Sequence, residues 1–561
     1  MIVQINIFLY VNFMIYKLRV IIVVLWSILN LFPRVCLANE MSSNTKFVRF
    51  QDTKFLSYDE LVYLSNHLIR GPKLEKKLEE FWKHPVISNE AWYDGSRPRE
   101  FSDHRLGSVL VVASWNIEKS IEIPKIIQLL TDPDALDRLL PKDSFPKDSK
   151  ARAQIENQLK KLQAADILIL QEIDVGVKRS GYMDCARELA QALKMNYVYA
   201  PAYLEVDPVL LGTEKIYLEN GEEDKESMEF YATDSKRYKG VFGSAVLSRY
   251  PIKAVKAFPL KHQGYDWYSG EKTQSGFLEK SRRFGAKTTF KNVITREIKV
   301  GGRVFLQVDL EVPHLPEKTL SVINVHLEIK CRPEERTRQI REILVYAKEI
   351  RNPVIMAGDF NSASQDLSAV SVARTVKRTA QNPTTWFSAA VNYLNPNGLL
   401  INTTRGLSNI TKNLQDPTAK HIPVIAPNAI RPLFESIEQY QFEDGGVFDF
   451  RGDRDRSVGR KSKKLSNSNQ RDLKGFKTTF SVRRPIGPVI GKLRLDWFFV
   501  KSYMKNNSSA LNAPYQFAPH FGETLEELNT AVSPPLSDHH PSIIYLPWEE
   551  PKSIEERAKK S

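Results

Sequence analysis

The stretch PPLSDHHPSIIYL, residues 534–546, places three polar side chains between a proline pair and an apolar run. The run SIIYL predicts a short buried strand, because aliphatic, β-branched and aromatic residues are typical of strands. Asp538, His539 and His540 stand immediately before it. One carboxylate and two histidines suit a metal site, a catalytic acid–base pair or a polar turn, and these three residues alone do not separate the possibilities.

Apolar runs of this kind recur along the chain from Val109 onwards. Several are nearly continuous, as in strands that are buried on both faces. Helical patterns lie between them, and the clearest has a proline, Pro333, in its first turn. Strands alternating with helices predict an α/β fold in which sheets and helices are layered as a sandwich. The runs include VLVVASWNIE (109–118), ADILILQEI (165–173), TLSVINVHLEI (319–329), PVIMAGDFN (353–361) and RLDWFFVK (494–501).

Polar residues close these otherwise apolar runs. Side chains two residues apart in a strand point to the same face, so each of three polar pairs shares a face. A single pair is typical of a turn or a solvated strand end, but the repetition predicts that the strand ends converge on one polar site. Asp496 lies inside an apolar segment, where a buried carboxylate needs a partner. The pairs are Asn116/Glu118, Asn324/His326 and Asp359/Asn361, and Gln171 and Glu172 end a further run.

The ordered set WNIE, LQE, SRYP, NVHLE, GDFN, LDWFFV and SDHHP resembles the endonuclease/exonuclease/phosphatase superfamily, whose fold is that of DNase I. The resemblance covers residues 106–548. It implies a four-layered α/β sandwich, here with long loop insertions. It also implies an enzyme that hydrolyses phosphate esters with a divalent metal, usually Mg²⁺, with Mn²⁺ as an alternative. Nucleases, inositol polyphosphate phosphatases and neutral sphingomyelinases share this pattern, so reaction type is implied more strongly than substrate.

The same resemblance implies metal ligands. Glu172 corresponds to the principal ligand, with Asn116 beside it and Asp538 at the same metal cluster. Glu118 is a further candidate near the metal. Hard oxygen ligands of this kind suit Mg²⁺.

Catalytic roles are implied as well. Asp359 would orient or deprotonate the attacking water, and Asn361 would donate to a phosphate oxygen. His539 would bind the non-bridging oxygen of the transition state or assist the leaving group. Asp496 would accept a hydrogen bond from its other ring nitrogen, which would raise its pKa and fix its tautomer. His540 falls on a variable position of the motif and is expected to be a surface residue without a catalytic role.

Three residues complete the candidate set. His326 occupies a strand position at which nuclease, sphingomyelinase and phosphatase branches carry histidine. Asn324 shares its strand face. Arg249, in LSRYPI, is a candidate contact to substrate phosphate, although a turn role before Pro251 explains it equally well.

The remaining segments of the 561-residue chain are assigned by composition. Residues 1–38 carry Lys17 and Arg19 before a short apolar run and small residues at 36 and 38, which predicts a signal peptide and export. An uncleaved membrane anchor is the alternative, and Met14 is a candidate start. Residues 39–105 predict a partly helical extension and residues 549–561 a charged tail. Cys185 and Cys331 remain after cleavage, and the sequence does not decide whether they pair.

The charge of the chain bears on the substrate. The formal net charge is +14, or about +11 after removal of residues 1–38. Two segments, 253–303 and 451–474, hold most of the basic surplus, and the first interleaves Tyr265, Trp267, Tyr268, Phe277, Phe284 and Phe290. Basic loops attract phosphate and aromatic side chains stack bases, which favours nucleic acid. The alternative is a phospholipid headgroup reached by peripheral membrane contact. A non-catalytic binding module is less favoured, and nothing indicates an obligate protein partner.

Overall fold

A computed structural model of the chain describes residues 46–67, 69–103, 106–218, 220–272, 297–363, 428–449, 478–486, 490–504, 515–517 and 521–549. The predicted signal peptide, the basic segment 451–474, Phe277, Phe284, Phe290 and all of the charged tail except Glu549 lie outside these ranges. Among the helices in these ranges, none combines the length and apolar character needed to cross a membrane.

Two sheets form the centre of the fold in the described ranges. The larger holds ten strands: β1 (Phe50–Gln51), β2 (Val86–Ser88), β3 (Phe101–Asp103), β4 (Gly107–Asn116), β5 (Ile167–Val175), β6 (Asn196–Glu205), β7 (Val241–Ser248), β9 (Lys299–Gly301), β18 (Phe521–Thr524) and β19 (Ser542–Pro547). The smaller holds five: β8 (Ile252–Pro259), β10 (Val304–Glu311), β11 (Thr319–His326), β12 (Val354–Asp359) and β15 (Asp496–Lys501). Short pairs are formed by β13 (Phe480–Ile486) with β14 (Ile490–Leu493) and by β16 (Tyr503–Met504) with β17 (Tyr515–Gln516).

The strand order is mixed in direction. In the larger sheet it runs β1-β2-β6-β7-β5-β4-β19-β18, with β3 on β4 and β9 on β6. In the smaller sheet it runs β15-β12-β11-β10-β8. The pairs β4–β5 and β11–β12 are parallel, and the other named pairs in both sheets are antiparallel.

Helices cover the outer faces. They are α1 (Tyr58–Asn66), α2 (Pro72–Lys83), α3 (Glu90–Tyr93), α4 (Ile123–Thr131), α5 (Ala135–Leu139), α6 (Lys150–Gln163), α7 (Cys185–Leu193), α8 (Lys225–Tyr231), α9 (Trp267–Lys272), α10 (Pro333–Ala347), α11 (Arg431–Glu438) and α12 (Glu526–Ala531). Helix α10 begins with proline at its first turn, where the missing N–H costs no hydrogen bond. Its predicted apolar face is buried: Ile340, Ile343, Leu344 and Ala347.

The alternation of side chains along β4 separates the layers. Val111 and Ala113 belong to the core shared with α4, α6 and α7, whereas Leu110 and Val112 belong to the core between the two sheets. A third core joins the smaller sheet to α10 and α11. The order is therefore helices, sheet, sheet, helices. The α/β sandwich predicted from the sequence is confirmed.

The segment before residue 106 packs into this domain. Its described part has the predicted helices, and Leu61, Leu64 and Phe81 lie in the core that α4, α6 and α7 share with the larger sheet. It also contributes three strands to the larger sheet: β1 pairs with β2, β2 pairs with β6, and β3 pairs with β4. Strands of two or three residues are too short to show an alternating pattern, so the sequence did not indicate them.

The two cysteines of the described ranges do not form a disulfide with each other. Cys185 and Cys331 are both free and buried. Burial raises the pKa of each thiol to about 12, which makes them unreactive packing residues.

Candidate active site

The register of the sheets brings the polar strand ends together. In the larger sheet Asn116 at the end of β4 pairs with Gln171 of β5. In the smaller sheet His326 at the end of β11 pairs with Asp359 at the end of β12, and Asp359 pairs with Asp496 at the start of β15. Parallel strands end at the same edge of a sheet, and Asn116 Nδ2 of the larger sheet donates to Asp359 Oδ2 of the smaller sheet at 3.1 Å, so the two polar edges face each other.

Hydrogen bonds of Asn324 join the two sheets next to these polar strand ends. The Gln171 side-chain nitrogen donates to Asn324 Oδ1 at 2.8 Å, and Asn324 Nδ2 donates to the carbonyls of Leu170 and Ala245 at 2.9 and 3.0 Å. All of the side-chain bonds of Asn324 given by the structure therefore connect the sheets. Its position is that of a buried positioning residue beneath the cluster.

His539 is held between two carboxylates. Its Nδ1 lies 2.8 Å from Asp496 Oδ2, and its Nε2 lies 3.8 Å from Asp359 Oδ2. His326 faces the same carboxylate, with Nε2 3.8 Å from Asp359 Oδ2 and 3.8 Å from Glu172 Oε1. The side chains of this cluster are buried except for that of Glu172, which is half-buried; the buried ones are His326, Asp359, Asp496 and His539. The partner that a buried Asp496 requires is the imidazole of His539.

The two histidines differ in charge. Burial alone would lower the pKa of His539, but the charges of Asp496 and Asp359 outweigh it and raise this pKa well above the usual value. Burial lowers the pKa of His326 well below the usual value, and the charges of Arg303, His539 and Lys299 act in the same direction. The raised pKa favours an imidazolium at His539, which can donate to an anionic oxygen, and the lowered pKa favours a neutral ring at His326.

Asp359 is the common acceptor of this cluster. Its Oδ2 accepts from Asn116 Nδ2 at 3.1 Å and its Oδ1 from the backbone N–H of Asn361 at 2.7 Å. Burial, together with the charge of Asp496, raises the pKa of Asp359 to about 7, although His539 opposes the shift. A carboxylate with a pKa near neutrality is suited to take a proton from water.

Oxygen ligands collect next to Asp359. Glu118 Oε2 accepts the backbone N–H of Asp538 at 3.0 Å, and Glu172 Oε2 accepts the backbone N–H of Lys119 at 3.1 Å. Burial raises the pKa of Asp538 to about 7, and the charges of Glu118, Glu172 and Asp359 contribute to the increase. These carboxylates repel one another, and a divalent cation among them would relieve the repulsion. The donor set of carboxylate and amide oxygens fits Mg²⁺.

A second group of ligand atoms belongs to Asp359, Asp496 and His539, which lie within 4.8 Å of one another. The 2.8 Å bond already commits His539 Nδ1 to Asp496. A nitrogen donor is also less suited to Mg²⁺ than carboxylate oxygens are. We therefore interpret this trio as an acid–base group and the neighbouring oxygen set as the metal site.

The backbone of this region is strained at functional positions. Glu118, Glu172 and Asn361 have positive φ values of 45°, 61° and 46°. The β5–β7 ladder is interrupted between Leu170 and Ile173, and this irregularity turns Glu172 out of the strand pattern. Such conformations cost free energy and persist where the surrounding structure fixes them, as at active sites.

Gly358 permits the close approach of β11 and β12 beside Asp359. Its φ is +139°, and a Cβ at this position would lie 2.0 Å from the Val325 carbonyl oxygen. Only glycine fits without a shift of the backbone. The glycine of the motif GDFN is thus a packing requirement of the site.

Two predicted site residues have other partners in this structure. Arg249 is buried, and its guanidinium donates to the carbonyls of Ala165 and Leu193, each at 3.4 Å. It adjoins Ala165 and Asp166 just before β5, about 20 Å from Glu172 by the rise of the strand. Asn361 Nδ2 donates to the Leu327 carbonyl at 2.9 Å, so one of its two amide hydrogens is used within the protein. The structure brings Asn361 to the cluster and does not bring Arg249 there.

His540 is buried, which differs from the surface position expected. Its Nε2 lies 3.0 Å from Ser481 Oγ and its Nδ1 lies 3.0 Å from Asn529 Nδ2. Both ring nitrogens therefore have partners away from Asp359 and Asp496. Successive residues of an extended segment point to opposite sides, which places His539 in the cluster and His540 in the core.

Sequence reasoning missed a set of ion pairs beside the cluster. Lys119 pairs with Glu297, which also pairs with Lys299. Arg179 Nη2 lies 2.7 Å from Asp174 and Nη1 2.8 Å from Glu205. Arg303 Nε donates to Glu328, two residues after His326, at 3.1 Å, and the charge of Arg303 helps to lower the pKa of His326. Three of these pairs join residues more than 20 positions apart, namely Lys119–Glu297, Arg179–Glu205 and Arg303–Glu328, and the only sequence signal was the basic surplus of residues 253–303, which includes Lys299 and Arg303.

The fold and the site together define a class. Two facing sheets with helices outside hold an aspartate–histidine pair and an adjoining set of carboxylates at their edges, and these groups suit metal-assisted hydrolysis of an ester. Residues 113–539 match the model of the Endonuclease/Exonuclease/phosphatase family. The chain belongs to this family, whose members are phosphoester hydrolases that generally depend on a divalent metal.

Solved structures of the family are similar to this chain at low identity. A 3′-5′ exonuclease (NExo) from Neisseria meningitidis is 13% identical, covering 78% of this chain and 100% of its own, with a TM-score of 0.33. An endonuclease/exonuclease/phosphatase from Beutenbergia cavernae is 15% identical, covering 78% and 71%, with a TM-score of 0.30. The human Nocturnin catalytic domain is 12% identical, covering 78% and 94%, with a TM-score of 0.30. Comparison with curated proteins finds no match. Family membership therefore rests on the family model.

Proposed function

We propose that this phosphoester hydrolase is a magnesium-dependent phosphodiesterase that cleaves nucleic acid. The observation that carries the proposed chemistry is the position of Asp359 Oδ2, which lies 3.8 Å from the Nε2 atoms of both His539 and His326. A buried base thus adjoins one charged and one neutral imidazole. The carboxylates of the oxygen set lie beside them.

Each side chain of the cluster has a distinct role in this proposal. Asp359 accepts the proton of the attacking water, and Asn116 and Asn361 hold its two oxygens in place. His539 donates to the phosphoryl oxygen that gains negative charge, because Asp496 keeps its ring protonated and oriented. His326, as a neutral ring, can donate a hydrogen bond from one ring nitrogen and accept one at the other.

The metal would be held by Glu172 and Asp538, with Asn116 and Glu118 as further oxygen donors. When bound, Mg²⁺ acts as a Lewis acid on the phosphoryl oxygen and lowers the pKa of a coordinated water. Glu172 and Glu118 both have positive φ, so their side chains leave the regular backbone pattern, and the charges of both act on Asp538.

Lysine and aromatic side chains beside His326 support a nucleic acid substrate, although Lys299 and Lys330 are also paired with Glu297 and Glu271. Lys299 lies over the rings of Phe242 and Trp267, at 5.2 and 4.5 Å from their centroids, and Phe242 is in contact with the His326 ring. Lys330 lies over Trp267 at 5.2 Å. Lysines on an aromatic wall suit the phosphates and bases of a nucleic acid strand.

An activity panel tests this proposal. Purified residues 39–561 are assayed with Mg²⁺ on plasmid DNA, RNA, phosphoinositides and sphingomyelin, with and without excess EDTA. We expect cleavage of DNA or RNA that EDTA abolishes and Mg²⁺ or Mn²⁺ restores. Cleavage of a lipid alone would replace nucleic acid by a lipid headgroup, and full activity in EDTA would refute the metal dependence.

Export is the second part of the proposal. It is supported by Lys17 and Arg19, the short apolar run after them and the small residues at 36 and 38. We expect N-terminal sequencing of the exported protein to begin at Asn39. Recovery of residues 20–32 on a membrane-bound mature form would favour an anchor instead.

A further inference from the structure

A cavity of about 340 Å³ lies beside the oxygen ligands. We call it the side cavity, and its lining consists of Lys119 and Ile121, residues 177–179, part of the segment 205–240, and Glu297 and Ile298. Lys119 joins the two places, because its side chain lines the cavity and its backbone N–H donates to Glu172 at 3.1 Å. A substrate phosphate at the metal site therefore has this cavity as a neighbour.

The charges of the side cavity balance. Three basic and three acidic side chains line it: Lys119, Lys178, Arg179, Glu205, Asp207 and Glu297. Most of them are already joined, as Lys119 is to Glu297 and Arg179 to Glu205. A lining without net charge has no preference for a phosphate or for a free cation. It suits a neutral group with hydrogen-bonding atoms at its edge.

The rest of the lining is apolar and aromatic. Val177, Leu210 and Ile298 are buried, whereas Phe230 is 48% exposed and lies 5.1 Å from Tyr231, with ring planes at 82°. Lys178 donates to the carbonyls of Phe230 and Ala232 at 2.8 and 2.7 Å and so ties the end of α8 to the turn across the cavity. An exposed phenyl ring fixed at the rim offers a stacking surface.

Two polar atoms of the lining residues have no partner among the described residues. They are Glu205 Oε1, an acceptor, and Arg179 Nε, a donor, and both atoms are buried. Buried polar groups normally have partners, since an unsatisfied group loses its hydration without compensation. Both atoms lie beneath the surface of the cavity, so a base would pair with them only if these side chains turned toward it; a nucleobase edge carries the donor and the acceptor that such pairing needs.

We propose that the side cavity receives the base of the nucleotide next to the scissile phosphate. The volume lies at the low end of small-molecule sites, which suits one nucleoside rather than a longer stretch of polymer. The lining has no net charge, which suits an uncharged base, and the exposed Phe230 ring offers a surface on which the face of the base can stack. This assignment rests on the proposed nucleic acid substrate for the identity of the ligand.

A binding experiment tests the assignment without turnover. Calorimetry with Mg²⁺ compares adenosine 5′-monophosphate with ribose 5-phosphate, which has the phosphate and sugar but no base. We expect the nucleotide to bind at least about tenfold more tightly, the size expected for stacking of one base. Phe230→Ala should remove about tenfold from the nucleotide affinity, change ribose 5-phosphate affinity less than about twofold, and leave Phe230→Tyr like the wild type.

Tyr217→Ala is the matched control, because Tyr217 is an exposed aromatic residue of the same segment that does not line the cavity. It should bind both compounds like the wild type. Equal affinities of the wild type for the two compounds, or equal weakening of both by Phe230→Ala, would overturn the assignment. If the wild type cleaves DNA or RNA but binds the two compounds equally, the role of the cavity as a base site is refuted and the proposed substrate stands. If the wild type prefers the nucleotide but cleaves no nucleic acid, the proposed substrate is refuted and the base site stands.

Discussion

Two groups of buried and half-buried carboxylates lie next to the turn Glu118–Ser120, and they differ in how their charge is compensated. In the oxygen set, Asp538 faces Glu118 and Glu172, and burial together with these charges raises its pKa to about 7. In the neighbouring group, Glu297 is paired with Lys119 and Lys299. Burial alone would raise its pKa, but the two lysines lower it well below the usual range.

The difference separates a site that accommodates an added cation from one that is complete within the protein. Like-charged carboxylates at one place are stable only when protonated or when a cation joins them. Carboxylates with lysine or arginine partners need neither. Asp174 departs from this contrast, since burial raises its pKa to about 7 even beside Arg179, and Glu205 adds a second negative charge.

The largest expected effect comes from removing the imidazolium of the catalytic cluster. His539→Ala should lower kcat by at least about a hundredfold, the usual size for loss of one such donor. Asp496→Asn should match it or fall between this value and the wild type, because the ring remains but is oriented less well. Both are measured on one substrate at saturating Mg²⁺, with folding checked by circular dichroism. Unchanged kcat in His539→Ala would contradict the assigned role.

The paired group predicts a loss of stability. Arg179→Met leaves Asp174 and Glu205 buried without their shared cation, so the free energy of unfolding should fall by about 3–5 kcal/mol. Urea denaturation measures it. Arg138→Met is the control, because the Arg138–Asp132 pair is exposed and its loss should leave the free energy of unfolding nearly unchanged. Equal changes in both variants would show that the buried group is not held by its charge pairing.

A smaller effect is expected from pH. A carboxyl group must lose its proton to bind a metal, and Asp538 has a pKa of about 7. The affinity for Mg²⁺ should therefore fall as pH falls, by roughly five- to tenfold between pH 7.5 and 6. Calorimetry at several pH values measures it, and Asp538→Asn should bind more weakly with a flatter pH dependence. A wild-type affinity that is constant over this range would contradict the contrast between Asp538 and Glu297.

The smallest effect on catalysis is expected at His540. His540→Ala should keep kcat within about threefold but lower the free energy of unfolding by about 1–3 kcal/mol, since Asn529 and Ser481 lose a buried partner. His539→Ala should show the opposite balance of effects. If His540→Ala is the variant with crippled turnover, the placement of the Ser-Asp-His motif is wrong.

Much of the candidate site was accessible from the sequence because its residues close recognisable strands. His326, Asp359 and Asp496 are brought together as the motif order implied, and the predicted partner of Asp496 is His539. Arg249 shows the limit of this reasoning. A motif places a residue at a strand end, but it does not say which end of the neighbouring strand the side chain adjoins. The guanidinium of Arg249 instead donates hydrogen bonds to the carbonyls of Ala165 and Leu193.

The sequence by itself determined the alternation of strands and helices, the family and the polar residues that close each strand, because these depend on local periodicity and on motif order. Only the tertiary structure decided that His540 is buried, that Arg179 joins Asp174 to Glu205, and that Lys119 lies between the metal ligands and a cavity. These facts depend on contacts between residues far apart in the chain. Such contacts leave no periodic trace in the sequence, since each partner is a common charged or polar residue that becomes distinctive only when burial removes its water.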